Sequence, residues 1–233
     1  MPPKLPPVDP AAADVVPGAD LSPELLAGLL ADGDDELAAW TLSHALREAP
    51  RAVVFDGLLR DAMRLVGDRW ETGQWSVAEE HLASRTLLRA LERIRPASGP
   101  ESRIGPLAVL AGVAGEHHMI GLVCLEQVLA EAGWTTANLG ADVPPADLGR
   151  FVARNEVSLV ALSAMDPARL GAVADAVAAI REASGPTTKI MVGGRLAELP
   201  GTRPAADVEW VGTSIVEAAA FVSSIYRGAV VTD

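Results

Sequence analysis

Gly115-Glu116-His117-His118-Met119-Ile120-Gly121 is the stretch on which the reading of the fold turns. It follows the apolar run Leu107 to Val113 and opens a helical pattern that runs to about Gly133. A strand that turns directly into a helix places the connecting loop in the crevice beyond a sheet's carboxyl edge, where open parallel sheets bind ligands. This loop carries an acid, a spaced histidine and a glycine. Glu116 and His118 are two apart, so the carboxylate can hydrogen-bond the far nitrogen of the imidazole and fix the tautomer of a metal-ligating ring. Gly121 leaves room for a large ligand, or for close helix–strand packing, in the first turn of the helix. His117 and His118 also suit a bland role as polar loop residues at a helix start, so the flanking sequence has to decide.

Downstream, short apolar runs alternate with helices. Leu107–Val113, Thr135–Leu139, Leu159–Ser163, Ile190–Val192 and Val208–Val211 read as five strands, with helices of about ten to fifteen residues between most of them. That alternation predicts a parallel, doubly wound sheet in the flavodoxin-like strand order. Ser163, in Leu162-Ser163-Ala164-Met165, ends the third strand, and Gly193-Gly194 ends the fourth. Both therefore fall on the same carboxyl edge as the histidine loop. Each has an ordinary alternative: Ser163 as a cap for a helix beginning near Pro167, and the glycine pair as a turn.

Upstream the pattern is helical. Residues 1–20 hold six prolines and few large apolar side chains, and read as a disordered arm. Ser22-Pro23 is a helix start, leading into leucines at helical spacing to about Leu30. A second helix runs from near Asp35 to Arg47, and a third from Ala52 to about Thr72 with Val54, Leu58, Leu59, Met63 and Val66 on its apolar side. Ser76-Val77-Ala78-Glu79 is a capping box for a fourth, which continues to about Ile94. Residues 21–95 thus predict an antiparallel four-helix bundle, residues 96–105 a linker, and residues 106–230 the Rossmann-like sheet domain. No internal repeat is visible.

The chain has 233 residues, 49% hydrophobic content, one cysteine (Cys124) and a net charge of −12. A disulfide scaffold within the chain is excluded, and the acidic balance argues against autonomous nucleic-acid binding. Arg47, Arg51, Arg60, Arg64 and Arg69 are interleaved with acids and read as solvated surface. No run is long enough to span a bilayer and no signal peptide opens the chain, so a cytoplasmic location without membrane contact is expected.

The Glu116-x-His118-x-x-Gly121 pattern resembles the D-x-H-x-x-G signature of cobalamin-binding domains, in which the histidine is the lower axial ligand of cobalt. Ser163 with Met165 is similar to that family's S-x-L element, and Gly193-Gly194 to its glycine pair. Glutamate for aspartate and methionine for leucine are departures that preserve chemical type. The resemblance implies cobalamin bound with its own benzimidazole displaced from the metal and buried as a tail beside the sheet. His118 takes the vacated position, with His117 beside it in the loop. Glu116 and Ser163 anchor polar groups, Gly193 and Gly194 leave the tail's path open, and Thr213 lines its far end.

The bundle extends the match. Trp70 lies at the end of the third helix and Glu80-His81 on the fourth, so the hairpin between them brings an indole, a carboxylate and an imidazole toward one surface. The segment Gly67-Asp68-Arg69-Trp70 through Glu79-Glu80-His81-Leu82-Ala83-Ser84 resembles the helical cap of CarH-type adenosylcobalamin photoreceptors. In that family the tryptophan covers the upper axial group and the acid and histidine contact the adenosyl moiety. The likeness covers roughly residues 22 to 226. Two departures stand out: the arm is too short for the winged-helix DNA-binding domain of such repressors, and Glu71 occupies the position of a histidine that captures cobalt after photolysis. His44 or His81 could substitute only if the bundle moves.

The implied protein is a stand-alone cobalamin-binding light sensor, a binding and signalling protein rather than a turnover enzyme. Adenosylcobalamin is the expected cofactor, with methylcobalamin as the variant, and the output is self-association or a change in a partner-binding surface. Some relatives of this type also bind a bilin. Cys124 is the only thiol for covalent attachment, and its helix should bury it against the sheet. The alternative is a corrinoid carrier of a methyltransferase system, which shares the architecture. A cofactor-free response-regulator-like sheet fits least, since the acidic cluster that holds magnesium there is missing.

Overall fold

The computed structural model describes residues 21–96, 105–199 and 208–230. The arm at residues 1–20 and most of the linker at 96–105 lie outside them. Four helices come first: α1 (Pro23–Ala31), α2 (Asp35–Glu48), α3 (residues 51–71) and α4 (Val77–Arg93). Local chemistry starts each one. The Ser22 hydroxyl accepts the Leu25 N–H ahead of Pro23, and the Asp34 carboxylate accepts the Leu37 N–H. Both halves of the capping box form at α4, with Ser76 N–H donating to Glu79 at 2.6 Å. The helices bury Leu26, Leu30, Leu42, Phe55, Leu87 and Leu91 in a common core.

α3 departs from the predicted regular helix. It is α-helical over Arg51–Val54 and Arg60–Glu71, with a π turn at Phe55–Leu59 between them. Such turns are rare and cluster where function asks something unusual of a helix. Phe55 in this turn is fully buried in the bundle core, and Asp56 beside it turns to the second domain.

The sheet contains β1 (Leu107–Gly112), β2 (Thr135–Asn138), β3 (Val157–Ser163), β4 (Lys189–Gly193) and β5 (Glu209–Gly212). All neighbours are parallel and the order is β2-β1-β3-β4-β5, the predicted flavodoxin-like arrangement. Helices α5 (Ile120–Glu131), α6 (Pro145–Arg154), α7 (Leu170–Ser184) and α8 (Ile215–Val230) complete the domain. Strand alternation sends Val109, Ala111, Val160 and Leu162 toward α6 and α7, and Ala108, Leu110, Leu159 and Ala161 toward α5 and α8.

The bundle packs on α5 and α8. α5 is therefore sandwiched: Leu122, Leu125 and Leu129 face the sheet, while Cys124 and Val128 enter the bundle core. This explains its nearly all-round apolar sequence. Arg51 is a correction to the sequence reading, being only 8% exposed rather than part of a solvated face. Its guanidinium donates to Gln127 Oε1 at 2.8 Å and to the Ile94 carbonyl, and Glu131 lies 3.6 Å from it. The partner on α5 is distant in sequence, so helical periodicity within α3 gave no sign of it. No helix among the described residues is long and apolar enough to cross a membrane.

Candidate functional site

Register alignment places Gly112, Ser163, Gly193 and Gly212 side by side across β1, β3, β4 and β5. Three glycines and a serine make a low row along the carboxyl edge, and the loops bearing the candidate residues rise from it.

The loop after β1 turns at Gly115, with φ +79°, and delivers Glu116 inward and His118 outward. Glu116 is 2% exposed, whereas the His118 side chain is 71% exposed. One Glu116 oxygen accepts the His118 backbone N–H at 2.8 Å and meets His118 Nδ1 at 2.5 Å. The other accepts the Met165 N–H at 2.6 Å, joining the loops after β1 and β3. Burial pushes the Glu116 carboxyl up, but the amide donors of His118 and Met165 and the imidazole outweigh it and hold the group below the usual glutamate range. An ionised carboxylate only accepts, so Nδ1 carries the hydrogen and Nε2 of the neutral ring keeps a lone pair for a metal.

The remaining candidates divide into those joined to this loop and those apart from it. Met165 is tied to it through Glu116, and its sulfur accepts the Arg195 N–H. A Cβ on Gly121 would meet nothing within 4 Å, which decides between the two roles read from sequence in favour of open space. His117 is exposed beside His118. Gly193 lies under the β5 backbone. Gly194 has φ +100°, and a Cβ there would fall 2.3 Å from the Ala164 carbonyl, so close backbone packing already requires this glycine. Ser163 is half-buried at the end of β3, and Asp166 rather than Ser163 caps the turn Pro167–Arg169 ahead of α7. Thr213 donates both its N–H and its hydroxyl to Glu198.

In the bundle, Glu80 links His81 Nδ1 at 2.8 Å and the Ser84 hydroxyl at 2.7 Å. Trp70 is 50% exposed at the end of α3. Among the described residues no hydrogen bond, ion pair or ring contact joins Trp70 to Glu80 or His81, or any of the three to the His118 loop. Arg69 instead stacks over Trp75, at 4.8 Å from its ring. Cys124 is 2% exposed, as its helix predicted, and its thiol is pushed up to about 12, chiefly by burial.

Sequence reasoning missed Asp142, whose carboxylate accepts the Gly115 N–H at 2.6 Å. It also missed Glu198 and the interdomain carboxylate of Asp56. Only Asp142 carried a signal, as the acid of a turn following a strand on the carboxyl edge. A groove of about 820 Å³ lies at the opposite, amino-terminal edge between Asn155, Ser184, Thr187 and Lys189. None of the candidate residues lines it.

Comparison with known proteins bears on the fold and the family. Two B12 binding domain models match, one over residues 24–95 and one over residues 106–220. The chain is 30% identical over 188 residues to the HTH-type transcriptional repressor CarH of Myxococcus xanthus, which covers 80% of this chain and 62% of that repressor's length. It is 27% identical over 170 residues to dimethylamine corrinoid protein 3 of Methanosarcina acetivorans, covering 71% and 77% of the two chains. The structure of the Methanosarcina barkeri monomethylamine corrinoid protein superposes with a TM-score of 0.69 at 20% identity, covering 86% of this chain and 96% of that one.

Proposed function

The chain belongs to the B12-binding-domain family and binds cobalamin, and on that premise we propose that it is a light sensor in which His118 is the lower axial ligand of cobalt. One observation carries the ligand assignment: a buried carboxylate holds Nδ1 of an otherwise exposed imidazole, leaving Nε2 free to coordinate. The residues present fit the group. Gly121 has open space where a Cβ would sit, and Gly112, Ser163, Gly193 and Gly212 stand in register along the carboxyl edge from which the His118 loop rises.

The bound cofactor supplies a cobalt–carbon bond that light can cleave. The chain's part is to orient the lower ligand through Glu116, to cover the upper face with Trp70, and to present Glu80 and His81 to the upper group. Adenosylcobalamin is the form that the bulky Trp70 with Glu80-His81 favours. A change in the position of the bundle then alters self-association or a partner-binding surface. A second reading, a corrinoid carrier of a methyltransferase system, draws support from the match to the dimethylamine corrinoid protein. In that reading the bundle opens for a partner enzyme and methylcobalamin is the form bound.

The test is reconstitution with adenosylcobalamin or methylcobalamin in the dark, with absorption spectra taken before and after green light. A lasting spectral change and an altered oligomeric state after illumination favour the sensor. His118→Ala is expected to weaken binding and return the spectrum to a base-on or water-ligated form, and an unchanged spectrum removes His118 from cobalt. Trp70→Ala is expected to reduce preference for the adenosyl form, and equal discrimination by variant and parent takes Trp70 off the upper face.

A further inference from the structure

Asp142 lies on the exposed loop between β2 and α6 and is the only non-glycine residue with positive φ among those described, at +54°. Left-handed backbone is uncommon for any residue with a Cβ, and aspartate is among the few that tolerate it. Two bonds hold it there. The carboxylate accepts the Gly115 N–H at 2.6 Å, and the Asp142 N–H donates to the Glu116 carbonyl at 2.8 Å. A single residue thus grips both members of the pair that leads into His118.

The loop carrying Asp142 is itself fastened to β1. Gly112 N–H donates to the Gly140 carbonyl at 2.8 Å, and Val143 N–H to the Gly112 carbonyl at 2.9 Å. Ala141 packs so closely that a Cβ on Gly112 would lie 3.2 Å from its Cα. Asp142 is therefore anchored to the frame of the sheet, and its carboxylate is the side chain that holds the Gly115 N–H, next to the bonds that Glu116 makes to the Val113 carbonyl and the Met165 N–H. Glu116 sets the tautomer of the ring, and Asp142 helps to set the place of Glu116 through its backbone.

We propose that Asp142 is a positioning residue for the cobalt ligand, acting on His118 through the backbone of Gly115 and Glu116. This rests on the reading of His118 as the lower axial ligand. An anchored carboxylate accepting a backbone N–H is a strong, directional bond, and losing an outer partner of a metal ligand typically lowers metal affinity about tenfold or more.

The test compares Asp142→Gly with Asp142→Asn. Glycine adopts the left-handed backbone without strain, so this variant removes the carboxylate without straining the turn. The apoprotein should stay folded with a melting temperature near the parent's, relief of the left-handed backbone offsetting the lost bond, while the Gly115 amide, followed by hydrogen exchange without cofactor, exchanges faster. Affinity for added hydroxocobalamin should fall about tenfold, with loss of the histidine-ligated absorption. Asparagine keeps both the tolerance for this backbone and an acceptor oxygen, and should stay near the parent in all three measurements. A glycine variant with parent affinity, spectrum and Gly115 exchange overturns the proposal. So does a binding loss matched by a fall in melting temperature, which would mark Asp142 as purely structural. His118→Ala run alongside separates the two ideas. If it leaves the spectrum unchanged, the ligand reading fails and this proposal with it. If it abolishes the histidine signature while Asp142→Gly retains it, only the positioning role fails.

Discussion

Replacing Asp56 by alanine removes a carboxylate that belongs to the helical bundle and caps a helix of the sheet domain. Asp56 accepts the Ser214 hydroxyl at 2.8 Å and the Ile215 N–H at 3.0 Å, with the Val216 N–H at 3.4 Å. Its side chain is 14% exposed and Arg60 approaches at 3.1 Å. The magnitude follows from what α8 loses and what it keeps. Ser214 still accepts the Glu217 N–H, so the helix retains a cap of its own. Losing a side-chain acceptor at a helix start costs about 1 kcal/mol, and losing a partly buried anion facing the helix dipole costs up to ~2 kcal/mol. Arg60 is itself 43% exposed, so its pair with Asp56 adds at most ~0.5 kcal/mol. These contributions overlap, so Asp56→Ala should destabilise the apoprotein by about 2 kcal/mol, and Asp56→Asn, which keeps an acceptor, by about half that.

Urea unfolding of the apoprotein measures the loss, read from two probes because a bundle and a sheet domain need not unfold together. A double-mutant cycle with Ser214→Ala isolates the cross-domain bond and should give a coupling of about 0.5–1 kcal/mol. A loss below about 0.3 kcal/mol for Asp56→Ala together with zero coupling would refute the reasoning, since surface changes of that size are ordinary.

Two further outcomes follow from single positions. Gly121→Ala adds a methyl group to a helix at a point with nothing within 4 Å. The apoprotein should gain about 0.5–1 kcal/mol while cobalamin binding weakens, and undiminished binding would show that this space is not used by the cofactor. The Cys124 thiol should resist iodoacetamide at pH 8 in the native protein and react promptly in urea, because burial raises it from 9.0 to about 12. The folded state holds this proton more tightly, so the contribution to stability is complete below pH 9 and is lost as pH climbs from 9 through 12. Prompt native labelling would put the thiol within reach of a covalently attached bilin.

Patterns of short range were legible in the sequence and bonds across long range were not. Ser22-Pro23 and Ser76-x-x-Glu79 announced two helix starts because capping chemistry is local. The strand–helix alternation announced the sheet, and the Glu116-x-His118 spacing allowed the observed carboxylate–imidazole bond. Arg51 looked like surface because its partner Gln127 is on α5, 76 positions away. Asp56 was invisible for the same reason, with its partners about 160 positions away. The π turn left no mark in the apolar spacing, since Leu58 and Leu59 satisfy either helical form. Gly193-Gly194 was read as room for a ligand, yet Gly194 is already required by the Ala164 backbone, a demand that only tertiary packing reveals.

The two acid–histidine pairs among the described residues are alike in chemistry and unlike in support, and that difference predicts how they act. In each, a carboxylate holds Nδ1 and leaves Nε2 unengaged by it. Glu116 is buried and braced by the Met165 N–H from another loop, so the ring it holds has a place before any ligand arrives. Glu80 is 29% exposed and braced only by Ser84 of its own helix, so His81 can turn without disturbing a second element. A fixed imidazole suits a permanent lower ligand, while an adaptable one suits an upper face whose occupant changes. Glu116→Ala should therefore weaken binding of every form of cobalamin, about tenfold or more, because it leaves buried donors unpaired and releases the ligand. Glu80→Ala should leave binding of hydroxocobalamin, with its small upper ligand, near the parent value and lower the preference for the adenosyl form. Titrations of both variants with hydroxocobalamin and adenosylcobalamin in the dark decide the matter. Equal losses for the two cofactors in Glu80→Ala would show that the bundle pair stabilises the fold and does not read the upper ligand.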